Sequence, residues 1–188
     1  MDEQTPLPAL TAWTGVARCA VRCALLLARG RLHLPREHVG RLLRFADGTT
    51  GRVYRETRVD GPPAGAPCLL VVEFRLRGVR GAGHRLFRWE SLLNTPLFAG
   101  FPGLRSKLWL AHDEHGVYRG VYEWDGPERA ARYARSLWRV LALVSAPGSI
   151  HYHVVPGMTR DRLLADPGVL APVAADDAAG WWRLVGVG

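Results

Sequence analysis

Hydrophobic and polar residues alternate along residues 103–124 with the period of two that is typical of β-strands. The pattern predicts an antiparallel hairpin with strands at about 105–112 and 117–124, joined by a glycine-containing turn. Alternation assigns the side chains to two faces. The predicted apolar face carries Ser106, Leu108, Leu110, Tyr118, Tyr122 and Trp124. The predicted basic and aromatic face carries Arg105, Lys107, Trp109, Arg119, Val121 and Glu123.

The same periodicities extend on both sides of this hairpin and predict the element order β-α-β-β-α-β. An apolar run at 68–77 predicts the first strand, and a helical pattern at 84–94 predicts the first helix. A proline-started apolar stripe at 128–145 predicts the second helix, and residues 149–155 the last strand. This order is typical of the α+β ferredoxin-like fold, which has one antiparallel sheet.

Composition divides the chain into three predicted parts. The parts are an N-terminal extension (1–60), the α+β domain (68–156) and a C-terminal tail (157–188). The extension is predicted to hold an amphipathic helix at 14–30 and a β-hairpin that turns at Asp47-Gly48. A proline- and glycine-rich linker at 60–67 follows it. We expect the Trp181-Trp182 pair to hold the tail on the body of the protein or on a second subunit.

The net charge of +8 predicts an anionic partner, which could be a nucleic acid, a membrane surface or an acidic ligand. RNA-recognition domains with this element order stack bases on aromatic residues of their first and third strands. Here those positions carry Glu73, Arg75, Val121 and Glu123. We therefore expect no nucleic-acid partner.

The predicted helix at 14–30 carries arginines beside an apolar face, a pattern that also suits a helix lying on an anionic membrane. Packing on its own domain or on a partner subunit is the interpretation we adopt, because alanine and cysteine are weak membrane anchors. No apolar run reaches the roughly 18 residues of a spanning helix. Three cysteines without metal-ligand spacing and an N-terminus unlike a signal peptide predict a cytoplasmic protein.

Known catalytic motifs are missing from the sequence, which contains no P-loop, dinucleotide fingerprint or nucleophile elbow. His151 and His153 alternate on the predicted polar face, where Glu73 or Glu123 could complete a metal site. Neighbouring arginines oppose a bound cation. We therefore predict neither a metal nor a cofactor.

Three short motifs lie in the hairpin and the helix that follows it. They are G-L-x-x-K-x-W (Gly103, Leu104, Lys107, Trp109), G-x-Y-x-W (Gly120, Tyr122, Trp124) and A-x-x-Y (Ala130, Tyr133). With these motifs, residues 103–155 resemble the dimeric α+β-barrel superfamily, in particular small monooxygenases of the antibiotic-biosynthesis type. The resemblance implies a homodimer whose sheets pack face to face, and a pocket for a hydrophobic, aromatic or polyketide-like molecule.

The resemblance also implies an activity, that of a cofactor-independent monooxygenase. Two alternatives stay open: an isomerase or cyclase of secondary metabolism in the same pocket, and a non-catalytic ligand-binding or membrane-docking module. For a pocket between sheet and helices, the implied catalytic residues are His84, as the base, and Tyr122. The implied substrate-binding residues are Trp89, Tyr118, Trp124, Tyr133, Trp138, Lys107 and Trp109. If the polar face borders the pocket, the set becomes Lys107, Trp109, Glu123 and His151.

Lys107 is the only lysine among 25 basic residues, so its amine is not simply one of many interchangeable surface charges. Trp109 follows two residues later, which in a strand places it on the same face. We expect this pair to face the sheet of a partner subunit.

Overall fold

The computed structural model describes residues 6–79, 81, 83, 94–174 and 180–188. Its helices are α1 (Ala9–Ala28), α2 (Pro127–Val144) and α3 (Arg160–Ala165), and 3₁₀ turns lie at Thr95–Leu97 and Pro167–Ala174. Its strands are β1 (Leu32–His33), β2 (Leu42–Phe45), β3 (Thr50–Val59), β4 (Pro67–Arg75), β5 (Leu104–Leu110), β6 (Val117–Asp125), β7 (His151–Pro156) and β8 (Leu184–Val187). Most of the helix predicted at 84–94 lies outside the described residues.

The strands form one antiparallel sheet in the order β7-β4-β6-β5-β3-β2-β8, with β1 paired to β3. The connection from β4 to β5 passes over β6, and the connection from β6 to β7 passes over β4. Two interleaved crossovers of this kind define the ferredoxin-like arrangement. The predicted α+β ferredoxin-like fold is therefore confirmed by the strand order.

The two ends of the chain extend this sheet at one edge. β2 and β3 form the hairpin that the Asp47-Gly48 turn predicts, and β3 pairs with β5 of the central sheet. Gly48 has a φ of 85°, a conformation that glycine adopts without a steric cost. β8, from the end of the chain, pairs with β2. The N-terminal hairpin and the C-terminal strand are thus continuous with the central sheet.

α1 begins five residues earlier than the predicted helix, at Ala9. Its buried stripe consists of Ala12, Val16, Cys19 and Cys23, and this stripe packs on α2 and on the 95–97 turn. α1 is, by length and composition alone, a candidate membrane-spanning helix. The expectation that no segment is long and apolar enough to span a membrane was therefore wrong. Isolated arginines had hidden the continuity of the apolar pattern.

Two hydrophobic cores lie on opposite faces of the sheet. The first core is between the sheet and the two long helices, and Trp124, Tyr133 and Phe98 are its large members. The second core is between the other face and the C-terminal segment. The C-terminal side chains that cover this face are Met158, Leu163, Leu164, Leu170, Trp182 and Leu184. The chain itself therefore covers the sheet face that the family resemblance assigns to a partner subunit.

Candidate functional site

The pairing of β5 with β6 shifts by one residue at Arg105. Leu104 lies opposite Trp124, whereas Ser106 lies opposite Glu123 and Lys107 opposite Tyr122. An extra residue of this kind is a β-bulge, and beyond it every side chain of the strand changes face.

The shift corrects the predicted faces of β5. Lys107 and Trp109 lie with Tyr122 on the face that packs against the helices, while Leu108 and Leu110 belong to the opposite core. The prediction that Lys107 and Trp109 face a partner sheet was wrong, because matching the faces of β5 and β6 by their apolar character does not detect the register set by the bulge at Arg105.

The Lys107 side chain is buried among three aromatic rings. Its Nζ lies 3.1 Å from the centre of the Trp109 ring, 4.4 Å from that of Phe98 and 4.6 Å from that of Tyr122. Only 5% of Lys107 is exposed, and within the described ranges no carboxylate forms an ion pair with it. The ring faces attract an ammonium group and so replace part of its lost hydration.

Burial away from water lowers the pKa of Lys107 well below its ordinary range, and the positive charge of Arg55 lowers it further. An unfolded lysine has a pKa of about 10.4. Between the folded and the unfolded pKa, the unfolded chain therefore binds a proton that the folded chain does not. The free energy of unfolding should then rise with pH across this window and fall on acidification.

A cavity of about 240 Å³ opens beside Lys107, between the sheet and α2. Its walls include Tyr54, Phe98, Lys107, Trp109, Tyr118, Tyr122, Tyr133, Leu137, Val140 and Leu141. Apolar side chains dominate this lining, and the few polar groups have defined positions, as is typical of small-molecule sites.

Two tyrosine hydroxyls meet in the cavity wall. The Tyr133 hydroxyl donates to the Tyr122 hydroxyl at 3.4 Å, and the two rings lie 5.5 Å apart. Burial raises the pKa of both phenols above the ordinary value. Both are therefore neutral near pH 7, and Tyr122 keeps its own hydrogen available to donate.

Arg55 and Thr57, which the sequence analysis did not identify, support the Lys107 site from β3. The Arg55 guanidinium lies 4.7 Å from the centre of the Trp109 ring and donates to the Thr95 hydroxyl. Thr57 accepts a 3.1 Å hydrogen bond from the Trp109 indole. No local motif marks these residues, because their place depends on the pairing of β3 with β5 across the supposed linker.

Arg119 borders the same cavity, but its guanidinium lies on the opposite face of the sheet, 4.8 Å from the centre of the Phe45 ring, where three carboxylates neutralise it. Its guanidinium lies 2.8 Å from Asp47, 3.1 Å from Glu73 and 2.9 Å from Asp113. This cluster joins the N-terminal hairpin, β4 and the β5–β6 turn to β6. We assign it a structural role, because each carboxylate already has a cationic partner.

The predicted site residues divide into three groups. Lys107, Trp109, Tyr118, Tyr122 and Tyr133 come together around the cavity. Trp124 is fully buried beneath it against Tyr133, and Trp138 packs edge-on against Tyr152, so neither lines the cavity. His84 and Trp89 lie outside the described residues, and their predicted roles stay predictions.

The two histidines weighed as metal ligands have other contacts. His151 lies 3.2 Å from Glu73, and the His153 ring stacks on Trp182 with 3.8 Å between ring centres. Glu123 pairs with Ser106 across the strands and belongs to the same sheet face as these histidines. In the part of the chain that the structure describes, no three metal-ligating side chains converge.

No family model and no curated protein matches the sequence. Among solved structures, an uncharacterized ferredoxin-fold protein from Listeria monocytogenes, related to antibiotic biosynthesis monooxygenases, is 15% identical with a TM-score of 0.41. That similarity covers 69% of this chain and 93% of the other. The Listeria monocytogenes heme-degrading enzyme is 16% identical over 60% of this chain and 80% of its own, with a TM-score of 0.39.

A monooxygenase-like protein from Listeria innocua is 15% identical over 69% of this chain and 94% of its own, also with a TM-score of 0.39. Each of these proteins is one that this chain is similar to, at low sequence identity. The activities in these names belong to those proteins. The fold of this chain is established by its own strand order.

Proposed function

We propose that the protein binds a small aromatic molecule with an ionisable oxygen or an acidic carbon in the cavity beside Lys107, and acts on it as a cofactor-independent monooxygenase. The observation that carries the proposal is the buried Lys107 amine at the wall of an apolar cavity. A volume of about 240 Å³ suits a ligand of about one or two rings.

Lys107 is the proposed base. Its lowered pKa favours the neutral amine, which can accept a proton from the ligand's hydroxyl or acidic carbon. The ammonium that forms then lies against the faces of Trp109, Phe98 and Tyr122, where it is stabilised electrostatically. The hydrogen of the Tyr122 hydroxyl can be donated to the anionic oxygen of the ligand.

The ionised ligand supplies the electrons for the reaction with O2, so the proposed chemistry needs no flavin or metal. One oxygen atom is bonded to the ligand carbon, and the other leaves as water with two hydrogens from the ligand. The apolar walls exclude bulk water, which would otherwise reprotonate the anion.

The test is oxygen uptake with a panel of phenols, naphthols and hydroquinones, measured with chelator and without flavin. We expect Lys107→Met to lower kcat/KM by a factor on the order of 100 to 10,000, the usual contribution of a general base. Trp138→Phe is the matched control, because Trp138 is outside the cavity lining, and its kcat/KM should change less than about twofold.

Three results would contradict parts of the proposal. Absence of oxygen uptake across the panel would remove the monooxygenase activity. Turnover without oxygen consumption would favour an isomerase or cyclase. Binding that quenches tryptophan fluorescence in the wild type but not in Trp109→Phe, without any turnover, would favour a non-catalytic binding protein.

A homodimer, which the family resemblance implies, and a cytoplasmic location, which the cysteine usage and the N-terminus predict, belong to the same proposal. Because the C-terminal segment covers the second sheet face, the subunits would pair through a different surface. Light scattering should give twice the chain mass of 20.8 kDa. A single-chain mass at micromolar concentration would contradict the dimer.

A further inference from the structure

The outward face of α1 is mostly apolar, with one polar side chain, Thr14, whose hydroxyl donates to the backbone carbonyls of Leu10 and Thr11. Leu10, Ala17, Val21 and Ala28 are spaced by 7, 4 and 7 residues, which aligns them on one line of a helix. All four are exposed, and Val21 is 65% exposed. Exposed Trp13, Leu25 and Leu27 widen this strip on its flanks. A strip of this kind is unusual for a surface that only contacts water.

One flank of this outward face is cationic. Arg18, Arg22 and Arg29 follow each other along it, and all three are exposed. The described residues include no carboxylate paired with any of them, and α1 itself contains no acidic residue. Among the described residues this flank is therefore positive and has no paired carboxylate, and such a charge favours an anionic partner surface.

We propose that the outward face of α1 docks on an anionic lipid surface. The apolar strip would enter the boundary between headgroups and acyl chains, and the three arginines would extend to the phosphates. Trp13 adds an aromatic side chain of the type that prefers this boundary. The buried stripe of α1 stays on the body of the protein, so the helix lies on the membrane and does not span it.

A second copy of this chain is a poorer occupant of the same face. In an antiparallel pair of identical helices, corresponding flanks lie side by side, so the two arginine rows would meet. Like charges at such flanking positions oppose association. An anionic membrane presents the opposite charge to the same arginines.

The experiment is co-sedimentation of the full chain with vesicles of phosphatidylcholine alone and of phosphatidylcholine with phosphatidylglycerol. We expect the affinity for vesicles with phosphatidylglycerol to exceed that for phosphatidylcholine alone by a factor on the order of 100. Each of three arginines near an anionic surface contributes about 1 kcal/mol, and together they give a factor of that size. Binding should weaken in high salt, because exposed charges are screened.

Three variants test the named surface. Val21→Asp should weaken binding at least about tenfold, because it places a charge in the apolar strip. Arg18→Glu with Arg22→Glu should weaken binding to anionic vesicles at least about 30-fold. Leu143→Asp is the matched control: Leu143 is 66% exposed, like Val21, but lies on α2, and its variant should bind like the wild type. Thermal melting checks that each variant is folded.

Equal binding to neutral and anionic vesicles would overturn the proposal, as would equal effects of Val21→Asp and Leu143→Asp. The proposal would also be overturned if the protein did not bind vesicles and if, by light scattering, the wild type were a dimer and Val21→Asp a monomer. That result would assign the outward face of α1 to a second copy of the chain.

Discussion

Replacing Gly100 by alanine is expected to displace α1 from the body of the protein. Gly100 follows the 95–97 turn and lies directly beneath the helix. A Cβ at this position would lie 1.9 Å from the carbonyl oxygen of Cys19 and 2.8 Å from the amide nitrogen of Cys23. Both are backbone atoms, so no side-chain rotation can relieve the contact.

The cost follows from the distance that α1 must move. An ordinary carbon contact begins at 3.4 Å, so the helix has to shift by about 1.5 Å at Cys19. Forcing an extra carbon into a well-packed interior costs about 1–3 kcal/mol. For a chain of this length, each kcal/mol lowers Tm by about 2–4 °C. We therefore expect Gly100→Ala to melt roughly 2–12 °C below the wild type.

Gly65→Ala is the control for the glycine-to-alanine change itself. A Cβ at Gly65 would have no neighbour within 4 Å, and its φ is not positive. This variant should therefore be as stable as the wild type or slightly more stable, because alanine restricts the unfolded chain. Calorimetry of the three proteins gives the comparison.

Thiol labelling reports where the strain is relieved. Burial raises the pKa of Cys19 to about 12 and that of Cys68 to about 11, so both thiols should react slowly in the wild type. In Gly100→Ala, Cys19 and Cys23 on α1 should react below the melting temperature, while Cys68 in β4 stays protected. Two results together would contradict this prediction: free energies of unfolding of Gly100→Ala and Gly65→Ala that agree within about 0.5 kcal/mol, and equal rates of cysteine labelling in the two variants.

Three further predictions concern buried groups. The wild type and Lys107→Met are unfolded with urea at a series of pH values. The free energy of unfolding of the wild type, minus that of Lys107→Met, should rise as the pH increases toward about 10.4. A difference that stays constant with pH would contradict a lowered pKa of Lys107. Glu56→Ala should lower the free energy of unfolding by about 3–5 kcal/mol in urea titrations, because it removes the buried carboxylate that pairs with both Arg160 and His38 and leaves Arg160 only its exposed partner Asp161. Asp161→Ala removes only that exposed partner and should cost less than about 1 kcal/mol. Trp182→Ala should lower the free energy of unfolding by about 3–5 kcal/mol, because Trp182 packs the C-terminal segment onto the sheet, and it should speed proteolysis of that segment. An unchanged cleavage rate would contradict the packing role of Trp182.

The element order was predictable from the sequence because each signal is local. Alternation identified the strands of the 103–124 hairpin, Pro127 preceded the apolar stripe of α2, and Asp47-Gly48 indicated the N-terminal hairpin. Lys107 and Trp109 were also recognisable as unusual, one as the only lysine and the other as its neighbour at the spacing of a strand.

The place of these residues was not predictable, because it depends on contacts between distant segments. The pairing of β3 with β5 brings Arg55 and Thr57 to Trp109 from outside the predicted domain. The C-terminal segment likewise covers a sheet face that a partner subunit had been expected to cover.

The sequence by itself determined which residues could form strands and helices and that one amine would be chemically distinct. Only the tertiary structure decided where that amine lies. A single unpaired residue at Arg105 reverses the faces of β5, so Lys107 points into the aromatic side of the sheet. A bulge is a property of the pairing between two strands, and the alternation of residues within one strand does not show where that pairing shifts.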